Sequence, residues 1–422
     1  MLDCLTGTKP IDEVQLTLVL CARRAATPED MAPLDLPQLS ADEEQLCGAM
    51  RELISSRIAD VGGMLPFDQY MEAALYAPGL GYYVNGRRKF GEQGDFTTAP
   101  EISPLFSQCL AGQVGECLQD LDEPVVLEVG AGSGRMAADL LSELARAERL
   151  PAEYLILELS PSLQQLQRQT IAADCPQLLS RVRWLTRLPG KGFSGVVVAN
   201  ELLDAMPVHR FRREADQWQE LFVTENEDGL TGQWLAPRST GLVAAVEASV
   251  PAWPELPGGY SSEINLRLQP WLAALRGSMI RGYLLLIDYG YSAREYYHPE
   301  RSQGTLICHY RHRVHADPYL LPGLQDITAN VDFTAVALAG RAAGFELAGY
   351  TTQAHFLIDN GLDRRLAVSD PGDVRRHMVL MQGAKRLMLP AEMGERFKVM
   401  ALALDMPLTL AGFTSRDLRD RL

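Results

Sequence analysis

The chain has 422 residues, 47% hydrophobic and 22% charged, which describes a globular protein long enough to bury one large or two moderate cores. Its formal charge of −15 and pI near 5.0 argue against a nucleic-acid backbone or an anionic membrane as main partner, because both need basic surface, and suit a basic peptide or protein. Seven cysteines (Cys4, Cys21, Cys47, Cys109, Cys117, Cys175, Cys308), odd in number and without a C-x-x-C pair, point to a reducing compartment.

Residues 11–22 (IDEVQLTLVLCA) carry Asp12 and Glu13 where a signal peptide needs positive charge. Residues 1–47 hold nine acids against three bases, unlike a mitochondrial transit peptide, and no run reaches the ~20 apolar residues of a membrane span. A cytoplasmic location is therefore expected. Residues 1–41, rich in Pro, Asp and Glu, are expected to be flexible. The expected divisions after them are a helical, lid-bearing region at 42–119, a core at 120–358 with an insertion at 209–270, and a helical C-terminal region at 359–422.

Asp42-Glu43-Glu44 opens a helix carrying Leu46, Met50, Leu53, Ile54 and Ile58, which Gly62-Gly63 ends. A second helix over 67–76 stops at Pro78-Gly79. Residues 79–104 are turn-rich and too long for a simple connection, so they read as a functional loop in which Asp95, Thr97 and Ser103 line the cleft mouth or serve as caps. A helix over 104–119 leads to Val125–Val129, a short apolar run that reads as a strand buried on both faces. The run ends in Gly130, Gly132 and Gly134, and residues 135–147 then return to helical periodicity.

Strand, glycine turn and helix together bring bare backbone N–H groups up to a ligand. Arg135 stands where a dinucleotide fingerprint has its third glycine, which weakens the pyrophosphate reading. Glu128, two residues before the turn, suits a ligand bearing an ammonium and a sulfonium, namely S-adenosylmethionine. An NAD(P)-dependent oxidoreductase is the alternative.

Residues 154–159 form a second strand ending in Glu158, placed to accept from ribose hydroxyls, and Ser160-Pro161 starts the next helix. A third strand lies within 180–188. The fourth, 195–199, delivers Asn200, Glu201 and Asp204 to the same crevice, either as functional groups or as turn caps. Residues 209–236 alternate around Glu227-Asp228-Gly229 as an inserted hairpin, and 261–279 look helical. Residues 282–290 give a fifth buried strand tipped by Asp288. A helix at 332–343, a closing strand pair within 344–358 and a helical tail at 372–405 complete the pattern. Repeated βα units give an α/β fold with a mainly parallel sheet. In Cys308–His315 three histidines recur every third residue, but the flanking arginines repel a cation and no metal site is expected; a lid or substrate loop is the better reading.

Glu128–Met136, Asn200–Pro207 and Gly94–Ser103 together resemble the MidA family of S-adenosylmethionine-dependent methyltransferases. Asp288-Tyr289-Gly290, Gly304-Thr305-Leu306 and Asp326-Ile327-Thr328 extend the resemblance over roughly 48–410, while Asn330 stands where the family pattern has histidine. The resemblance implies a class I, Rossmann-like methyltransferase core. Gly130, Ala131, Gly132 and Gly134 would floor the cofactor, Glu128 would hold its methionine part, Glu158 and Leu159 would meet the ribose side, and Asn200 would lie beside the methyl. Asp95, Thr97, Ser103, Asp288, His309 and Asp326 would form the substrate loops.

It further implies an arginine acceptor in a protein, in mitochondrial members linked to respiratory complex I assembly, so a subunit of a respiratory NADH dehydrogenase is an expected partner. Nucleic acid and membrane insertion are not expected, and an oligomer is left open. A guanidinium is protonated in solution, so carboxylates must orient it and take its proton; Glu201 and Asp204 are the candidates, Glu201 first. A non-catalytic assembly factor that keeps the cofactor fold is the other reading.

Overall fold

Apolar runs without helical periodicity become the strands of one central sheet. A computed structural model describes residues 36–87, 97–368 and 372–422. The flexible segment expected for 1–41 lies, through residue 35, outside the described residues, as does Asp95. The strands are β1 (Val125–Val129), β2 (Glu153–Leu157), β3 (Val182–Leu185), β4 (Phe193–Asn200), β5 (Met279–Tyr291), β6 (Glu346–Thr352) and β7 (Phe397–Leu404). Their order is β3-β2-β1-β4-β5-β7-β6; the pairs among β1 to β5 are parallel, and β7 runs antiparallel to both its neighbours. The chain moves outward from β1 to β3 and returns to β4 on the other side of β1. Ligands of doubly wound sheets bind at that reversal, above the carboxyl ends of the strands.

The helices used below are α1 (Ala41–Asp60), α2 (Phe67–Tyr76), α3 (Ala99–Ile102), α4 (Pro104–Leu118), α5 (Arg135–Arg146), α6 (Pro161–Asp174), α7 (Leu268–Ser278), α8 (Phe333–Ala343), α9 (Gln353–Asp359) and α10 (Val374–Met388). Alternation along the strands sends Val126, Val196 and Leu285 to one face, against Phe106 of α4 and Leu140 of α5. Leu127, Val197 and Leu284 go to the other, against Leu272 of α7 and Val336 of α8. The insertion builds a second, antiparallel sheet from His209–Glu214, Gln217–Asn226, Gly229–Leu235 and Ser261–Ile264, joined by Leu65–Pro66. Met50 and Ile54 of α1 and Tyr70 of α2 pack there against Leu221 and Val223.

Three stretches differ from the sequence reading. Residues 261–279 hold a strand, Ser261–Ile264, before α7, and 344–358 hold β6 followed by α9 rather than a strand pair. The tail at 372–405 is helical only through α10; Phe397–Leu404 is β7, buried at all eight positions. Its Met, Ala and Leu are good helix formers and the run, apolar but for Lys398, shows no strand period, so its place between β5 and β6 overrides propensity.

The glycine turn is demanded by backbone geometry. Gly130, Gly132 and Gly134 have φ of +72°, +53° and +82°, and a Cβ on Gly134 would lie 2.8 Å from the Gln167 Cα of α6. Gly134→Ala therefore combines left-handed strain with a clash against backbone that cannot swing away, and should cost more than ~2 kcal/mol. Gly48→Ala in α1, with open space around its Cβ, should instead stabilise by about 0.5–1 kcal/mol. Urea denaturation of the two variants checks both signs.

Candidate active site

At the end of β4 the chain leaves the sheet through Glu201, a non-glycine residue at φ +50° whose N–H donates to Ile287 O at 2.9 Å. Such a conformation costs on the order of 1 kcal/mol and persists only where surroundings enforce it. Asp288, fully buried on β5, enforces it. Its Oδ2 accepts the N–H groups of Leu202 (3.1 Å), Leu203 (2.9 Å) and Asp204 (3.3 Å), and its Oδ1 accepts that of Tyr289 (2.9 Å). The expectation that Asp288 belongs to a substrate loop is thus corrected: the carboxylate is spent on backbone and holds the turn that presents Asn200, Glu201 and Asp204.

Those three do converge. Asn200 Nδ2 donates to Glu201 Oε1 at 3.2 Å, as does the Ala99 N–H of α3 at 3.2 Å. Burial, with Asp204 alongside, pushes the Glu201 carboxyl up to about 8, and burial pushes Asp204 up to about 6. Burial and both neighbours push Asp288 upward as well, so the three acids titrate as a group and carry less than their formal charge near pH 7. Asn200 Oδ1 and Asp204 Oδ1 are buried with no hydrogen-bond partner among the described residues.

On the β1 and β2 side, Glu128 is fully buried, accepts the Tyr154 hydroxyl on Oε2 at 2.6 Å and has no partner for Oε1 among the described residues. Burial lifts its carboxyl to about 7. Glu158 Oε1 accepts the Ser160 N–H at 2.9 Å and Oε2 accepts Gln167 Nε2 at 3.0 Å, while the same amide donates to Gly132 O at 3.1 Å. Gln167 therefore locks the glycine turn to Glu158, a role sequence reasoning missed; a buried amide on an amphipathic helix was the only signal. Ala131 is buried in the turn, its carbonyl accepting the Gly134 N–H at 2.8 Å, and Leu159 beside Glu158 stands 63% exposed. A Cβ-free cradle, unpartnered Glu128 and Asn200 oxygens and an exposed apolar side chain fit S-adenosylmethionine, which carries an ammonium, a sulfonium and an adenine ring.

Across β4 and β5 lies a cluster of acids and tyrosines that the sequence only hinted at. The Tyr83 hydroxyl donates to both oxygens of Asp326 (2.9 and 3.0 Å), and the Tyr83 ring stacks on Tyr76 at 5.5 Å. The Tyr76 hydroxyl donates to Ala205 O at 2.9 Å, and the Tyr289 hydroxyl lies beside Asp204 and Thr328. Burial and the Asp326 and Asp204 charges raise Tyr76, which keeps its proton. Of the expected substrate-loop residues, Asp326 joins this cluster. His309 pairs opposite it in the strand register and is held down to about 4 by burial, hence neutral near pH 7. Thr97 is half-buried two residues before Ala99. Ser103 is corrected: it is buried and caps α4, its Oγ accepting the Leu105 N–H at 3.3 Å. The histidine stretch is a hairpin, Ile307–Tyr310 with Arg313–His315, turning at Arg311 and His312 in left-handed conformations, so spacing by three puts no common helical face there.

A buried acid whose folded value lies above its unfolded one binds its proton more tightly when folded. Glu128 should therefore leave the chain most stable below about pH 4.5 and remove up to about 3 kcal/mol as pH rises through about 7. Denaturation at pH 5 and pH 8 should show that loss in the natural chain and a smaller one in Glu128→Gln; equal losses would remove Glu128 as the cause.

A family model described as "Putative S-adenosyl-L-methionine-dependent methyltransferase" matches residues 109–351, more than half of the chain. The mouse mitochondrial protein arginine methyltransferase NDUFAF7 is 30% identical over 374 residues, covering 81% of each chain. Its Drosophila melanogaster homolog is 28% identical, covering 89% of this chain and 90% of that one. A crystal structure of a Burkholderia thailandensis superfamily member bound to S-adenosyl-homocysteine shares 41% identity at a TM-score of 0.87, covering 92% of this chain and 100% of that one. The relatives are named as mitochondrial, which overturns the cytoplasmic expectation; scattered thiols tell reducing from oxidising compartments but not one reducing compartment from another. With the glycine cradle, the acid-tipped strands and the sheet order already in place, the chain belongs to this family of S-adenosyl-L-methionine-dependent methyltransferases.

Proposed function

We propose that the chain methylates a guanidinium nitrogen of an arginine in a protein substrate, with a subunit of a respiratory NADH dehydrogenase as the substrate class. The observation that supports it is the cluster in which Glu201, Asp204 and Asp326 lie with Tyr76, Tyr83 and Tyr289. Carboxylates and tyrosine rings favour a cationic group and disfavour an anionic one. The relatives named above as protein arginine methyltransferases agree with that chemistry.

Bound S-adenosylmethionine supplies an electrophilic methyl group. The chain's own residues align the acceptor nitrogen and manage its proton. A guanidinium is protonated at neutral pH and its nitrogens are poor nucleophiles, so a proton must leave as the nitrogen attacks. Glu201 receives it: burial raises its basicity, and a bound cation favours its ionised form. Asp204 holds a second guanidinium N–H, and Asp288 keeps both carboxylates in place through the turn.

Because Glu201 titrates near 8, the rate at low substrate should climb with pH toward about 8 and then level off. Glu201→Gln keeps an oxygen for the Ala99 N–H and should lower methyl transfer by at least ~100-fold while S-adenosylhomocysteine affinity stays within about twofold. The assay uses labelled S-adenosylmethionine, the full chain and a host lysate, with acid hydrolysis to locate the label. Label on a small molecule or nucleic acid, or full activity in Glu201→Gln, refutes the proposal.

A further inference from the structure

One face of the C-terminal half of α10 is buried and packs against α3 and α4. A Cβ on Gly383 would lie 2.7 Å from Ser103 Cβ, and Ser103 closes α3, whose first residue donates its N–H to Glu201. Ala384 and Leu387 are buried beside it. The opposite side of the helix carries a seam at i, i+4, i+7 and i+11: Val374 (62% exposed), Met378 (55%), Met381 (44%) and the exposed Lys385. The adjoining row is Arg375, Val379 (60% exposed), Gln382 and Arg386. Between Val374 and Met388 there are four Lys or Arg side chains and no Asp or Glu. The seam runs roughly 16 Å at 1.5 Å per residue, about three helical turns.

We infer that the exposed seam of α10 docks an acidic, amphipathic helical segment of the protein substrate, an assignment that rests on the protein acceptor proposed above. An apolar seam at helical spacing accepts a helix along its length, and Met side chains adapt to the partner's shape. Lys385 in the seam and Arg375 and Arg386 beside it select an acidic partner over a basic one. They also disfavour a second copy of this chain in two-fold contact, which would set α10 against α10 and cation against cation. Interfacial helices anchor in bilayers through Trp, Phe or Leu on the apolar face, whereas this seam is Val and Met.

The test uses the full chain, labelled S-adenosylmethionine and the label-accepting protein of a host lysate. Met378→Asp with Met381→Asp, and separately Arg375→Glu with Arg386→Glu, should each raise the apparent KM for that protein about tenfold, the effect of ~1.4 kcal/mol, with kcat and S-adenosylhomocysteine affinity unchanged. Met378→Leu with Met381→Leu should keep the natural KM. Unchanged KM in both altered pairs overturns the docking assignment while leaving the protein acceptor standing. No label in any protein with the natural chain overturns the acceptor reading and the docking with it. The assignment also fails if the natural chain sediments with vesicles of equal parts phosphatidylcholine and phosphatidylglycerol and the Asp pair does not, or if the natural chain is a dimer that the Asp pair splits.

Discussion

The site depends on one buried carboxylate. Asp288 sits on β5 one residue beyond the point where Ile287 pairs with Asn200 of β4, and from there it accepts successive N–H groups of the turn that β4 runs into. Burying a carboxylate is costly, and four backbone donors offset that cost by replacing water around it. In return the turn is fixed in a conformation that a free chain would avoid, with Glu201 left-handed and its side chain held by Asn200 and the Ala99 N–H. Removing the Asp288 carboxyl group would orphan three turn amides at once, so the geometry of Glu201 and Asp204 is a property of β5 as much as of β4.

Around that turn the two ligand halves are divided by the sheet reversal between β1 and β4. The β1 and β2 side is organised by backbone: positive-φ glycines and the Gln167 amide, which touches both Gly132 and Glu158. The β4 and β5 side is organised by acids that burial makes reluctant to ionise. A cation entering there is itself what drives those acids to ionise, so acceptor binding and basicity are coupled. An uncharged acceptor would leave Glu201 largely protonated at pH 7 and unable to take a proton.

What was legible in the sequence follows from where each signal lives. Buried parallel strands and a glycine turn are local patterns, so β1, β2, β4 and β5 and the residues at their tips could be read directly. Asp288 was visible as an acid at a strand tip, yet its job depends on amides some 85 residues earlier in the chain arriving beside it. Tyr76 and Tyr83 look like ordinary core aromatics until α2 and the following turn bring them over Asp326. The strand β7 was hidden because a central strand with apolar residues on both faces has lost the alternation that would identify it. Ser103 read equally well as a cleft residue or a cap, and only the Leu105 N–H decides between them.

Net charge behaved as an average that conceals its parts. A total of −15 disfavours anionic partners for the molecule as a whole, whereas α10 carries a strip of Arg375, Lys385 and Arg386 that ends at its N-cap Asp373. The Debye length is ~8 Å at physiological ionic strength, about half the length of the seam, so acids elsewhere on the surface are screened from a group lying along it. Recognition at that strip is therefore governed by its own cations. An acidic segment held there, with a cationic arginine further along the same chain, would match the basic helix and the acidic cluster together. That opposition of charge across one substrate is a constraint that neither site imposes alone.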